Sequence, residues 1–265
     1  MSRYADHKAA KEIISTIDSK RENYLIIHYS CESFLDKFDG KSPRITSIAV
    51  KKFDDGQTDL FAIHKVAEIN KIPFDDIESD YDKLEKEMLE KFFAFVKTNE
   101  DKIWIHWNMR DSNYGFKALE HRYEVLGGTP TLVNDRNKID LARLFIKMYG
   151  KGYASNPRIK SLAEQNKIHP KDILFGKEES DAFENKEFIK LSFSTASKVD
   201  LFSNFLIAAI DNKLKVLSNK RQIYGTDIRG LSDIVKNSPW LSTVFWLINL
   251  LIGTFLGGWI SKCFF

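Results

Sequence analysis

The chain has 265 residues, 43% of them apolar and 29% charged, with a net charge of +3. These proportions exclude a disordered polymer and allow a sizeable buried core, while the near balance of charge excludes a nucleic-acid role argued from bulk charge alone. Two cysteines, Cys31 and Cys263, lie in distant segments, which excludes a disulfide framework or a zinc site and fits a reducing compartment.

Residues 1–21 read as a polar, mixed-charge helix with Ala9, Ala10, Ile13, Ile14 and Ile17 on one side. The segment lacks the apolar stretch of a signal peptide, so the expectation is an unexported soluble part and insertion tail-last. Tyr24-Leu25-Ile26-Ile27-His28-Tyr29 is an apolar, β-rich run that reads as a buried strand. Residues 45–51 alternate, Asp55-Gly56 is a hairpin-type turn, and Leu60-Phe61-Ala62-Ile63 follows as a third strand. Residues 81–96 carry Leu84, Met88, Leu89, Phe92, Phe93, Phe95 and Val96 at helical spacing, and Ile103-Trp104-Ile105-His106 is a fourth strand.

Helices are expected over residues 114–126, ended by Gly127-Gly128, and over residues 139–149, ended by Gly150. A short helix covers residues 159–166, residues 172–187 read as a polar loop, and a long helix covers residues 194–217. Three sequential strands, a crossover helix and a parallel fourth strand make an α/β sheet with helices on its faces. Ligands gather at the carboxyl ends of such strands, which directs attention to residues 28–32 and 106–113.

Residues 218–239 form a basic linker. Lys213, Lys215, Lys220, Arg221, Arg229 and Lys236 in and before it outweigh Asp227 and Asp233. Residues 240–261 then carry no charge, and about 20 such residues at 1.5 Å rise span a hydrocarbon core of ~30 Å. Trp240 and Trp259 sit near the ends, and only Lys262 lies beyond, so the positive-inside rule places residues 22–217 in the cytoplasm. Ser242, Asn249, Gly253 and Gly257 make a small and polar stripe. Two readings stand for it: a monomeric anchor that tolerates one amide, or a self-associating helix that lines a pore.

Five segments carry a resemblance over roughly residues 22–212. They are Ile26-Ile27-His28-Tyr29-Ser30, Ile105-His106-Trp107-Asn108-Met109-Arg110-Asp111, Ile139-Asp140-Leu141-Ala142-Arg143-Leu144, Lys160-Ser161-Leu162-Ala163-Glu164 and Ala196-Ser197-Lys198-Val199-Asp200-Leu201-Phe202. In this order they resemble the DEDD-type 3′–5′ exonucleases of the ribonuclease H-like class, which implies that class's mixed sheet flanked by helices. Two-metal phosphoryl cleavage needs about four carboxylates around ions ~4 Å apart. The Asp-x-Glu pair of that class falls on His28 and Ser30, with Glu32 restored by a shifted register. Its second acid falls on Asp111 or Asn113 and its last near Thr195, with Lys190 upstream. The resemblance therefore implies a pseudo-nuclease with no catalytic residues, no metal and no cofactor.

A groove without metal can still hold a single strand, through cations for phosphate and aromatics for bases. His106, Trp107, Asn108 and Arg110 follow strand four, and Arg122, Arg158, Lys160 and Lys198 complete the candidate set, Arg110 foremost. Each has a plainer alternative: Trp107 as core aromatic, His28 and His106 as hydrogen-bonded histidines, Arg122 paired with Glu120 or Glu124, Lys198 as surface. The architecture as a whole resembles the membrane effector of Hailong anti-phage defence systems. That likeness implies a homo-oligomeric channel in the bacterial inner membrane, gated by single-stranded DNA oligomers that a nucleotidyltransferase encoded with it makes. Two rivals remain: a membrane-tethered exonuclease using Asp111, Asp140 and Glu32, and a tail-anchored protein-interaction module.

Overall fold

Tyr24–Cys31 forms strand β1, and seven of its eight residues are buried. A strand apolar on both faces belongs in the middle of a covered sheet, and β1 is the central strand. The computed structural model describes residues 2–32, 42–110, 113–225, 230, 232, 235 and 239–264, with side chains as far as residue 254. The chain divides into two compact units. One comprises Glu12–Leu144 and Asn156–Lys215; the other comprises Met1–Lys11, Phe145–Ser155 and Val216–Phe265.

The first unit holds the sheet. Strand β2 (Ile45–Lys52) runs antiparallel to β1, with Ala49 opposite His28 and Ser47 opposite Ser30. Strand β3 (Thr58–Ala62) pairs antiparallel with β2 across the Asp55-Gly56 turn, where Gly56 takes a φ of 75° and Asp55 Oδ1 accepts from the Gln57 amide. Strand β4 (Ile103–His106) is parallel to β1, and β5 (Lys138–Asp140) is parallel to β4, giving the order β3-β2-β1-β4-β5. The α/β class, the three sequential strands and the parallel fourth match the expectation from sequence. The fifth strand does not: Lys138 and Asp140 were expected to border or open a helix. With one apolar residue between two polar ones, a three-residue edge strand has no periodicity to read.

One sheet face is covered by α3 (Tyr81–Thr98) and α4 (Phe116–Val125). Leu25, Ile27, Tyr29, Ile48 and Val50 share a core with Leu84, Met88, Leu89, Phe92 and Phe93 of α3 and with Phe116 and Leu119 of α4. The alternate residues of β1 face α8 (Phe188–Ile210), where His28 meets Phe202 edge-on and Ser30 reaches Thr195. Helix α8 starts six residues earlier than expected and stops at Ile210, where Asn212 with a φ of 56° turns the chain away. Helix α7 (Lys177–Glu184) occupies a stretch read as loop. Only Ala182 and Phe183 of it are buried, too few for an amphipathic signal. Gly127 and Gly128 end α4 as expected: their amides donate to Glu124 O and Tyr123 O, satisfying orphan carbonyls.

The second unit is built on side chains that cap backbone. Arg3, at the start of α1 (Arg3–Ser19), donates to Lys147 O and to Gln222 O, and His7 Nδ1 bonds Met148 O at 2.7 Å. Helix α9 (Lys220–Tyr224) opens on a reciprocal capping box between Asn219 and Gln222. The final helix, Pro239–Phe264, is continuous over 26 residues. Trp240, Phe245, Trp246, Leu250, Leu251 and Ile252 on it are all exposed. Among the described residues no helix is long and apolar enough to cross a membrane, so the expected span is not found there. Asn249 Nδ2 donates to Phe245 O within that helix and Ser242 Oγ to Val235 O ahead of it, both at 2.7 Å, so both polar side chains bond backbone carbonyls. Gly253 has open space around it, and Gly257 lies beyond the described side chains.

Candidate functional site

The parallel strands β1, β4 and β5 bring three carboxyl ends to one edge, and two polar clusters form there. The first lies between β1, β2 and α8, at the positions where the exonuclease resemblance sets its first and last acids. Thr195 Oγ1 lies 2.7 Å from Ser30 Oγ and 2.8 Å from Ser47 Oγ, and is placed to donate to Leu191 O at 2.8 Å. All three hydroxyls are buried. Glu179 of α7 reaches into the same place: its Oε1 accepts from Ser30 Oγ at 3.3 Å and pairs with Lys198 Nζ at 2.5 Å.

His28 completes this cluster. Its Nδ1 is 3.1 Å from the Tyr114 hydroxyl, which also donates to Tyr29 O. Burial holds the imidazole well below its ordinary pKa, and the Lys198 ammonium lowers it further, so His28 is neutral at pH 7. Burial likewise pushes the Cys31 thiol up, with the Glu179 charge adding to it, so Cys31 is an unreactive thiol. One ammonium, one carboxylate and a chain of hydroxyls satisfy one another here. The arrangement holds α7 against the sheet and, among the described residues, contains no carboxylate pair with which to grip two cations.

The second cluster lies at the ends of β4 and β5. Asp140, the last residue of β5, caps α5 (Leu141–Tyr149): its Oδ1 accepts from the amides of Ala142, Arg143 and, at 3.3 Å, Asn108. Its Oδ2 is 3.1 Å from Arg110 Nε. Arg110 Nη2 also donates to Asn108 Oδ1 at 2.7 Å, and Asn108 takes a φ of 57°, the left-handed conformation that asparagine tolerates best after glycine. His106 sits behind this turn, its Nδ1 accepting from the Met109 amide at 3.1 Å, which leaves the ring proton on Nε2. Burial lowers its pKa to about 4, against the opposing pull of Asp140.

Arg110, Asn108 and His106 are thus brought together as the sequence anticipated, and Arg110 keeps a side chain 38% exposed. The other candidates are placed differently. Trp107 is buried and stacks on Phe202 with ring centroids 5.4 Å apart, so it is a core aromatic and not a platform for bases. Arg122 is also buried. It makes a two-pronged pair with Glu85 (Nε 3.0 Å, Nη2 2.6 Å) and a third bond to Asp82 at 2.6 Å, rather than facing a groove or pairing with Glu120 or Glu124. Lys198 is neither surface nor groove: it is spent on Glu179. Arg158 is half-buried and Lys160 exposed in the first turn of α6 (Arg158–Gln165), a separate element.

Of the rival acid set, Glu32 pairs with Arg44 at 3.5 Å, Asp140 is engaged as described, and Asp111 lies outside the described residues. Among the described residues, no three His, Cys, Asp or Glu side chains are grouped so as to hold a metal ion. Sequence reasoning missed Glu179, hidden in the supposed loop, and Arg143, whose side chain is 66% exposed beside Asp140. An Asp directly before an apolar helical run was the available signal for the Asp140 cap. Comparison with protein-family models and with curated proteins finds no match.

Proposed function

We propose that this chain is a membrane effector of an anti-phage defence system. Its ribonuclease H-like domain has lost catalysis and binds a single-stranded DNA oligomer, and its final helix assembles into a homo-oligomeric channel. One observation carries the reading: the place at the end of β1 that a metal-dependent nuclease fills with carboxylates is closed by the Lys198–Glu179 pair and the Ser30, Ser47 and Thr195 hydroxyls. The sheet order supports the class. For the ligand, Arg110 stands partly exposed at the strand ends with Asn108 and Arg143 beside it, and Arg158 and Lys160 supply further cationic positions.

The membrane part rests on the uncharged run 240–261 and on the exposed large apolar side chains of the helix that carries it. In this reading the soluble part faces the cytoplasm of a bacterial inner membrane, and the oligomer comes from a nucleotidyltransferase encoded alongside. The experiment is purification after co-expression with that enzyme, read by the 260-to-280 nm absorbance ratio, for the wild type and for Arg110→Glu. The expected result is copurifying DNA in the wild type, none in the variant, and growth arrest by the variant but not the wild type when each is expressed together with that enzyme. Equal nucleic acid in both removes Arg110 from the site. Metal-dependent release of nucleotides from a labelled strand overturns the pseudo-nuclease assignment.

A further inference from the structure

The net charge of +3 divides unevenly between the two compact units. Residues 1–11, 145–155 and 216–265 carry ten Lys and Arg against three Asp and Glu, a net charge of +7. The other unit carries the remaining 30 against 34, a net charge of −4. No single segment of the first group holds more than half of its ten cations, so it is the fold that collects them.

Arg3 does much of the collecting. Its Nε donates to Gln222 O at 2.7 Å and its Nη1 to Lys147 O, which ties the start of α1 to α9 and to the end of α5. His7 bonds Met148 O and meets the Tyr224 ring edge-on with centroids 4.8 Å apart, and the Leu217 amide donates to Tyr153 O at 2.9 Å. Gly150, at a φ of 91°, leaves Gln222 O only 3.0 Å from where a side chain would begin, so the approach needs glycine there. These contacts consume backbone carbonyls and inward side chains and leave the other cations outside. Lys8 and Lys11 of α1, Lys147 and Lys151, and Lys220 and Arg221 of α9 are all exposed. Among the described residues of this unit, Asp6 is the only acid.

The same unit carries the final helix, where Trp240 and Trp246 are 73% and 62% exposed. Uncovered apolar side chains and a concentration of cations in one compact unit are the complement of the two layers of a bilayer, hydrocarbon and anionic headgroup. We propose that the basic surface assembled from α1, the end of α5 and α9 docks on the anionic lipid headgroups of the membrane that receives the final helix. This rests on the membrane reading and deepens it: segments more than 80 residues away in sequence from the helix join the membrane-facing surface. Nucleic acid offers phosphates too, but it leaves the exposed apolar side chains of the unit uncovered, whereas a bilayer engages both features.

The test is amine footprinting of the full chain in nanodiscs of phosphatidylcholine alone and of phosphatidylcholine with about one-third phosphatidylglycerol. Acetylation of each lysine is followed by mass spectrometry, with Lys65 on α2 (Ile63–Ile69) and Lys97 on α3, both exposed in the other unit, as controls. Expected is a rate about fivefold lower in the anionic discs at Lys8, Lys11, Lys147, Lys151 and Lys220, the factor that one cation's attraction to such a surface is worth, and no change at the controls. About 0.5 M salt, where the Debye length is roughly 4 Å, should restore the rates. Lys8→Glu/Lys11→Glu, at two exposed positions, should restore them at Lys147, Lys151 and Lys220 without salt. Equal rates in the two discs, or shielding that the variant and salt both leave intact, overturn the proposal alone. Shielding by an added oligothymidylate in the zwitterionic discs, with none from the anionic lipid, assigns the surface to nucleic acid and also overturns it. A chain that enters neither disc refutes the membrane reading and this proposal with it.

Discussion

Replacing Arg122 with Met removes the cation from the most enclosed ion pair of the domain. Glu85 is fully buried, and its carboxylate accepts from Arg122 at two positions and from the Ile45 amide at 2.6 Å. Taking away one partner of a buried pair leaves the other charge uncompensated, at a cost of about 3–5 kcal/mol. At about 2–4 °C per kcal/mol for a domain of this size, the melting temperature should fall by roughly 6–20 °C. Burial already holds the Glu85 carboxyl above its ordinary range, and Arg122 opposes that rise. Without the guanidinium the rise is larger. A carboxyl whose folded pKa lies above its unfolded one retains its proton longer in the folded state, so stability falls as pH rises through that interval. The variant should therefore be least destabilised near pH 5 and lose stability towards neutrality more steeply than the wild type. Adding Glu85→Gln keeps an acceptor for the Ile45 amide and removes the stranded charge, so the double variant should regain part of the loss. Thermal unfolding followed by circular dichroism from pH 5 to 8 reads all three. A single variant that melts within a degree or two of the wild type at every pH refutes the argument and returns Arg122 to the surface.

His106 makes the opposite contribution to the acid limb. Its folded pKa of about 4 lies below the unfolded value, so the unfolded chain binds the proton first. The resulting stabilisation is complete above about pH 6.5 and is lost as pH falls towards 4, by roughly 3 kcal/mol at most. His106→Asn, whose side-chain oxygen can replace Nδ1 as acceptor for Met109, should flatten that limb in urea titrations; an unchanged slope would show that another group sets it, His28 and His64 being further candidates. Gly128→Ala places a methyl about where the Tyr123 ring lies, 2.2 Å from its nearest carbon, and that ring stacks on Phe93 at 4.9 Å. The ring must leave its stack, and the variant should lose about 1–3 kcal/mol in chemical denaturation, with no change expected in ligand binding.

Much of the fold was written in patterns of two and of three to four. The unbroken apolar run 24–29 announced a central strand, and the apolar spacing from Leu84 to Val96 announced α3, because burial selects residues at the period of the element that carries them. Elements too short or too polar to show a period escaped: β5 with Ile139 alone between polar neighbours, and α7 with only two buried residues. Both are stabilised by what lies beside them, β5 by its ladder to β4 and α7 by the Glu179–Lys198 pair.

The same division runs through the candidate site. By itself the sequence showed that His28, Ser30 and Thr195 stand where the exonuclease resemblance would set acids, since a residue type needs no coordinates to be noticed. It also determined that Arg110 and Asn108 follow a strand end, because a strand end is a local fact. Only the tertiary structure decided which cations are available. Arg122 and Lys198 look like Arg110 in a list of residues, but each meets a carboxylate from an element distant in sequence: Glu85 thirty-seven positions away and Glu179 nineteen. Charge in a folded protein is committed by proximity, and proximity between α4 and α3, or between α8 and α7, is set by how helices pack on a sheet rather than by any pattern along the chain.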